Sequence, residues 1–103
     1  VFIAMNTFKV AKGREADFEA QWRNRQSYLQ DVPGFIQFAL LKGEAEGEYV
    51  SHTVWRDRDA FVAWTRSPAF AAGHRQGSLA GLLAGPPQLR LYDAVLVERG
   101  PQA

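Results

Sequence analysis

Pro33-Gly34-Phe35-Ile36-Gln37-Phe38-Ala39-Leu40-Leu41-Lys42 and Tyr49-Val50-Ser51-His52-Thr53-Val54-Trp55-Arg56, with Gly43 to Glu48 between them, form the stretch that decides how this chain folds. Proline restriction and a permissive glycine make Asp31 to Gly34 a turn that ends whatever precedes it. The two runs that follow are rich in β-branched and aromatic residues, and the interval between them is polar. They read as two strands joined in a hairpin.

Working outward, residues 1 to about 10 are β-branched and aromatic with polar interruptions, and Lys12-Gly13 closes them as a first strand. From about Arg14 to Gln30 there is no Gly or Pro, and Phe18, Trp22, Arg25 and Leu29 recur on one helical face. Beyond the hairpin, Asp57 or Asp59 can cap a short helix carrying Phe61 and Trp64. Ser67-Pro68 then opens a second, about 68 to 75, as N-cap and first helical residue. Gln76 to Pro87, rich in Gly and Leu, reads as a mobile apolar flap. Gln88 to Glu98 is a last strand, and residues 98–103 are a frayed tail. The whole chain, residues 1–103, reads as a single domain.

The order βαββααβ suits an α+β fold, a four-stranded antiparallel sheet with helices on one face in the ferredoxin-like arrangement. A sheet with one solvated face alternates apolar and polar residues. These strands are apolar on both sides. Val1, Ile3 and Met5 oppose Phe2, Ala4 and Phe8; Phe35, Ala39 and Leu41 oppose Ile36, Phe38 and Leu40; Leu89, Leu91, Val95 and Val97 oppose Tyr92, Ala94 and Leu96. Helices cover one face only, so a second subunit packing sheet against sheet is expected, giving a homodimeric α+β barrel.

Composition narrows the function classes. At 103 residues the chain buries about two-thirds of its unfolded surface, so self-association adds useful burial. Aromatics at 13% are a high load for a short chain, and suit a ligand pocket or a partner surface. The net charge is +1 with no long run of like charges, which argues against nucleic acid. The absence of cysteine excludes disulfides, thiolate metal sites and cysteine nucleophiles, and fits a cytoplasmic setting. No basic leader precedes the opening apolar residues, so no signal peptide or membrane span is expected. There is no phosphate loop, no flavin or nicotinamide motif, and no carboxylate spacing that marks a metal cluster.

Residues that violate their surroundings are the candidates for chemistry. Asn6 lies mid-strand between Ala4 and Phe8, either satisfied by backbone or aimed into a cavity between sheet and helices. His74 sits one turn after Phe70 and just after Gly73, a residue that is costly within a helix. It is a satisfied histidine or a metal ligand. Trp64 follows Phe61 by three residues, as core packing or as a pocket wall. Arg25 interrupts an apolar stripe, as a snorkelling side chain or as a cation for a carboxylate ligand. His52 is read as structural, and Asp93 as one half of an ion pair.

Together, Met5-Asn6, Pro33-Gly34-Phe35 and the run Thr53-Val54-Trp55-Arg56 through Ala60-Phe61, Trp64, Ser67, Phe70, Ala72 and His74 resemble the IsdG-type haem-degrading monooxygenases of the antibiotic biosynthesis monooxygenase superfamily. The resemblance implies a haem oxygenase. His74 would be the proximal ligand of the haem iron, Asn6 a distal hydrogen-bonding group, Trp64 the residue that crowds and buckles the porphyrin, and Arg25 a contact to the propionates. Gln21 stands where relatives often carry another basic residue, and Gly73 replaces the usual alanine. Haem would be both cofactor and substrate, with O2 and an external electron donor, a reductase or small reductant, completing the reaction. Two rival readings use the same pocket: a cofactor-free oxygenase of an aromatic polyketide or quinol, and a haem carrier that leaves its cargo intact.

Overall fold

In the computed structural model the described residues are 1–25, 27–74, 79 and 81–101, with 73 and 74 described by backbone alone. Strand-forming and helix-forming runs give β1 (Phe2–Lys9), α1 (Glu15–Asn24), β2 (Phe35–Lys42), β3 (Glu48–Trp55), α2 (Arg58–Thr65), α3 (Pro68–His74) and β4 (Gln88–Asp93). The sheet order is β2-β3-β1-β4 and every pairing is antiparallel. This is the expected ferredoxin-like α+β sheet, with the β2–β3 hairpin at one edge.

Local chemistry sets the helix starts. Asp57 caps α2 by accepting a hydrogen bond from Ala60 N at 2.9 Å, and that bond holds the Asp57 carboxyl below its usual range. Ser67 does the same for α3, accepting from Phe70 N at 3.2 Å, with Pro68 as the first helical residue.

Four expectations need correction. The first helix stops at Asn24 rather than near Gln30, and Arg25 is already extended, with ψ of 148°. Ser27 Oγ accepts from Leu29 N at 3.4 Å, a local bond that competes with helix, and the departing chain buries Leu29 beside Phe2 and Trp55. The second correction is in β2, where the register steps from Phe35↔Trp55 to Gln37↔Val54. Ile36 is bulged out and 50% exposed, so Phe35 joins Phe38 on the helix side instead of opposing it.

Third, β4 ends at Asp93 and not at Glu98: Asp93 pairs with Phe2, and past that pair Ala94 N donates to Val1 O at 2.9 Å. Val95 and Leu96 follow at 98% and 77% exposure. Asp93 makes no ion pair within the described residues of one chain. Fourth, part of the supposed flap is pinned. Leu83 bridges to Val10, Ala11 N donates to Leu82 O at 2.7 Å, and Ala84 N donates to Lys9 O at 2.7 Å. Leu82 is buried; residues 75–78 and 80 lie outside the described residues.

Two clusters form the core between sheet and helices. Phe2, Ala4, Leu29, Trp55, Ala60 and Phe61 make one, and Phe8, Val10, Phe18 and Tyr49 the other. Trp55 is fully buried against Phe35, Phe61 and Trp64, with ring centroids 5.5, 5.9 and 5.1 Å away. Its indole N–H donates to Thr53 Oγ1 at 2.9 Å, so the ring is satisfied as well as packed. On the opposite face, Leu41 and Tyr92 are 44% and 46% exposed within one chain.

The turn before β2 is tightly specified. Gly34 has φ of +80°, its carbonyl accepts from Arg56 N at 2.8 Å, and a Cβ there would overlap the Ala60 side chain. Gly34→Ala should therefore cost about 2 kcal/mol through strain and overlap. Urea unfolding should show a lower midpoint at unchanged slope; an unmoved midpoint would contradict this account of the turn.

Candidate active site

The cavity lies between the buried members of the two core clusters, which the stacked rings of Trp22 and Phe38 bridge at one side. Across the covered face of the sheet, Phe2 pairs with Trp55 at one end and Phe8 with Tyr49 at the other, while Ala4 pairs with Thr53 and Asn6 with Ser51 between them. Small and polar residues in those middle rows leave a hollow of about 400 Å³ beneath the helices. Its floor is Ala4, Asn6, Ser51 and Thr53; α1 contributes Gln21 and Trp22, α2 contributes Phe61, Trp64 and Thr65, and α3 contributes Ala69 and Phe70. Phe8, Arg25, Tyr28, Leu29, Phe38, Leu79, Pro87 and Leu89 complete the lining.

Among the described residues, two buried polar side-chain atoms lack a hydrogen-bond partner, Asn6 Oδ1 and Trp22 Nε1, and both residues line this cavity. Unpaired buried polar atoms are costly, and these two lie in residues of the same wall and floor. Trp64 stands in the wall, packed on Trp55 and edge-on to Phe70 at 4.8 Å. The Arg25 guanidinium lies over the rings of Trp22 and Phe38, 4.5 and 5.0 Å from their centroids. Burial lowers its pKa, yet an arginine keeps its charge at neutral pH.

Three of the four residues singled out in the sequence, Asn6, Trp64 and Arg25, thus line one cavity. The side chain of His74 lies outside the described residues; its backbone ends α3, the helix whose Ala69 and Phe70 line the hollow. His52 is elsewhere, paired with Met5 and Ala39 on the opposite face of the sheet. Sequence reasoning missed Trp22, Phe38 and Ser51. Trp22 carried only the helical period that also marks core, and Phe38 faces the cavity because it pairs with Thr53, a register that residue type does not announce.

The model of the family described as antibiotic biosynthesis monooxygenase matches residues 1–76. The chain belongs to that family. Its relatives include a mycobilin-producing haem oxygenase of Mycobacterium tuberculosis, 33% identical over 76% of this chain and 77% of the relative. A haem-degrading monooxygenase of Bacillus thuringiensis is 30% identical over 100% of this chain and 97% of the relative. Among solved structures, the haem degrader MhuD of Mycobacterium tuberculosis, with two haems bound in its active site, superposes with a TM-score of 0.79 at 28% identity, covering 96% and 100% of the two chains. SnoaB of Streptomyces nogalater, a cofactor-independent oxygenase, superposes at 0.70 with 27% identity, covering 93% and 94%. Relatives of both chemical types therefore share the fold of this family member.

A second hollow, about 310 Å³, lies on the far side of the Trp22–Phe38 stack and is lined by Glu19, Arg23, Leu40, Lys42 and Tyr49 as well as those two rings. Tyr49, buried, donates to Glu19 Oε2 at 2.5 Å, while Arg23 and Lys42 reach the same carboxylate at 3.2 and 3.7 Å. Desolvation first, and the Glu19 bond second, push the Tyr49 phenol up to about 12; the Tyr49 bond in turn lowers Glu19.

The sign for Tyr49 follows from linkage. A raised phenol pKa contributes stability that is complete below the unfolded value of about 10 and is lost as pH rises through about 12. For Glu19 the contribution is present above the ordinary carboxylate range and is lost as pH falls through the lowered value. Tyr49→Phe should accordingly flatten the fall in unfolding free energy over the alkaline window. Denaturant melts across that window check it; parallel curves for the two proteins would contradict it.

Proposed function

We propose that this chain is a haem-degrading monooxygenase that opens the porphyrin ring with dioxygen and electrons from an external reductant, releasing iron. The observation that carries the reading is a cavity with broad aromatic walls, the polar side chain of Asn6 in its floor, a partly buried cation at Arg25, and a wall formed by the helix that ends in His74. A flat, mostly apolar ligand with an anionic edge suits those groups. Relatives across this family that degrade haem support the same substrate.

In this reading the His74 imidazole is the proximal ligand and must be neutral to coordinate iron. Asn6 presents its amide on the distal side, where a fixed hydrogen-bonding group orients whatever polar ligand enters. Trp64 presses on the macrocycle from the wall, and Arg25 meets a carboxylate at the edge. The rings of Phe8, Trp22, Phe38, Phe61 and Phe70 exclude water. When bound, haem supplies the redox-active metal and is itself oxidised. Electrons come from a reductase or small reductant, and the cytoplasm, which the cysteine-free sequence suits, is the setting.

The acting unit is a homodimer. Ile3, Met5, Val50, Val54, Ala39 and Leu41 share the face of the sheet that no helix covers, and Val95 to Val97 extend beyond the last strand pairing. A second copy across a two-fold axis would bury both. The likeness to SnoaB favours a second reading, a cofactor-free oxygenase acting on an aromatic polyketide or quinol in the same cavity.

Titration with haemin should give a Soret band that His74→Ala abolishes and His52→Ala leaves in place. Aerobic incubation with ascorbate should then bleach the complex to ring-opened products identified by mass, and Asn6→Ala should bind haem but turn it over more slowly. An unchanged band in His74→Ala would refute the ligand assignment, and haem that survives reductant and air would mark a carrier. Sedimentation should find a dimer that Leu41→Asp converts to monomer, whereas a monomeric native protein would refute the assembly.

A further inference from the structure

Trp22 lines both the cavity and the second hollow, and Tyr49 lines the second. Phe18, fully buried, bridges them, its ring centroid 6.2 Å from that of Trp22 and 4.8 Å from that of Tyr49. Phe8 closes a parallel route, 5.7 Å from Trp22 and 5.4 Å from Phe18. The two ends of this aromatic run differ in one respect. Trp22 Nε1 has no hydrogen-bond partner, whereas the buried Tyr49 hydroxyl donates to Glu19 Oε2 at 2.5 Å. That is the length of a charge-assisted bond to a carboxylate. Neither the phenol nor its carboxylate lines the cavity, so neither has a part in holding what enters it.

We propose that Trp22 and Tyr49 form a one-electron relay, with Glu19 as its proton acceptor, that carries an oxidising equivalent out of the cavity to the second hollow. The inference rests on oxygen chemistry taking place in the cavity, which the haem and cofactor-free readings share. A one-electron oxidant formed there takes an electron from the Trp22 ring. The radical cation keeps its proton, because the indole N–H meets no acceptor, and a positive charge among apolar rings remains a strong oxidant. Tyr49 then gives one electron to Trp22 and its hydroxyl proton to Glu19. The O–H bond of Tyr49 breaks, an O–H bond on Glu19 forms, and Trp22 is restored, leaving a neutral tyrosyl radical beside a neutral carboxylic acid. Without Glu19 the oxidised phenol would be a buried cation. A phenol pKa pushed up to about 12 keeps the proton on Tyr49 until the electron leaves. At the second hollow the side chains of Arg23 and Lys42, 75% and 67% exposed, flank Glu19. An anionic enediol reductant such as ascorbate, drawn to those cations, returns the electron, and Glu19 returns the proton. The relay thus spares the cavity wall from oxidation.

Azide radicals oxidise tryptophan by one electron, so pulse radiolysis of the porphyrin-free protein at neutral pH tests the relay without any bound ligand. In native protein the tryptophanyl absorbance should decay as tyrosyl absorbance grows, at a rate independent of protein concentration and slower in D2O. Tyr49→Phe should lose that growth. Tyr28→Phe, which removes the phenol in the cavity lining, and Tyr92→Phe should keep it. Trp22→Phe should lose most of the growth although Trp55 and Trp64 remain. Glu19→Gln keeps an acceptor oxygen but takes no proton, and should slow the transfer on the order of a hundredfold, the usual contribution of a positioned base. After continuous irradiation, peptide mass should find several times more oxygenated Trp22 in Tyr49→Phe than in native protein. A tyrosyl signal that survives Tyr49→Phe, a rate that Glu19→Gln and D2O both leave unchanged, or equal oxidation of Trp22 in the two proteins would overturn the relay. Because no porphyrin is present, a failed relay leaves the haem reading intact, and a missing Soret band leaves the relay to the cofactor-free chemistry.

Discussion

The separation of two aromatic clusters on one face of a single sheet is the constraint from which the rest of the molecule follows. Four strands and short helices suffice to bury Phe2, Trp55 and Phe61 at one end and Phe8, Phe18 and Tyr49 at the other. Had the rows between carried Leu or Phe, the clusters would have fused into one close-packed core. Asn6 opposite Ser51, and Ala4 opposite Thr53, prevent it. Thr53 is itself tied down, donating to Ala4 O at 3.4 Å and accepting from Trp55, so polar residues at the cavity floor are anchored to the larger aromatic cluster. The hollow is thus a consequence of residue volume along two adjacent strands, and the helices serve as its roof.

Two departures from regular structure then aim side chains at that hollow. Bulging Ile36 out of β2 brings Phe35 to the helix side against Trp55, beside Phe38, which stacks on Trp22 and lies under the Arg25 guanidinium. Ending α1 at Asn24 lets the chain bury Leu29 and leaves Arg25 free of helical geometry. Neither departure is required by the ferredoxin-like topology. The helix end leaves Arg25 in the cavity lining, and the bulge adds Phe35 to the core around Trp55.

Much of this was legible in the residues. Hairpin, caps and element order follow from turn chemistry and periodicity, and the polar intruders Asn6 and Arg25 stood out because they contradict their neighbours. What escaped detection was whatever depends on contact across the chain. A helical period places Trp22 on the inner side but does not tell whether its N–H finds a partner. Alternation along β2 gives the wrong parity for Phe35 because a bulge obeys the register of β3, not the local sequence. Residues 94–98 are good strand formers by type, yet strand pairing needs a facing ladder, which in this structure reaches Asp93 opposite Phe2. Pinning of residues 82–84 came likewise from free backbone groups at Lys9 and Ala11, which no property of the glycine-rich stretch reveals.

The remaining tension lies between stability and recognition at the same atoms. Most buried polar groups in this chain are satisfied within it, as with Trp55 to Thr53 and Tyr49 to Glu19. The two exceptions among the described residues share one cavity. Their cost is therefore concentrated at the cavity rather than spread through the core. A partly desolvated Arg25 adds to that cost in the same place. The aromatic packing around Trp55 and Phe18 is what allows so small a domain to sustain polar groups at that place.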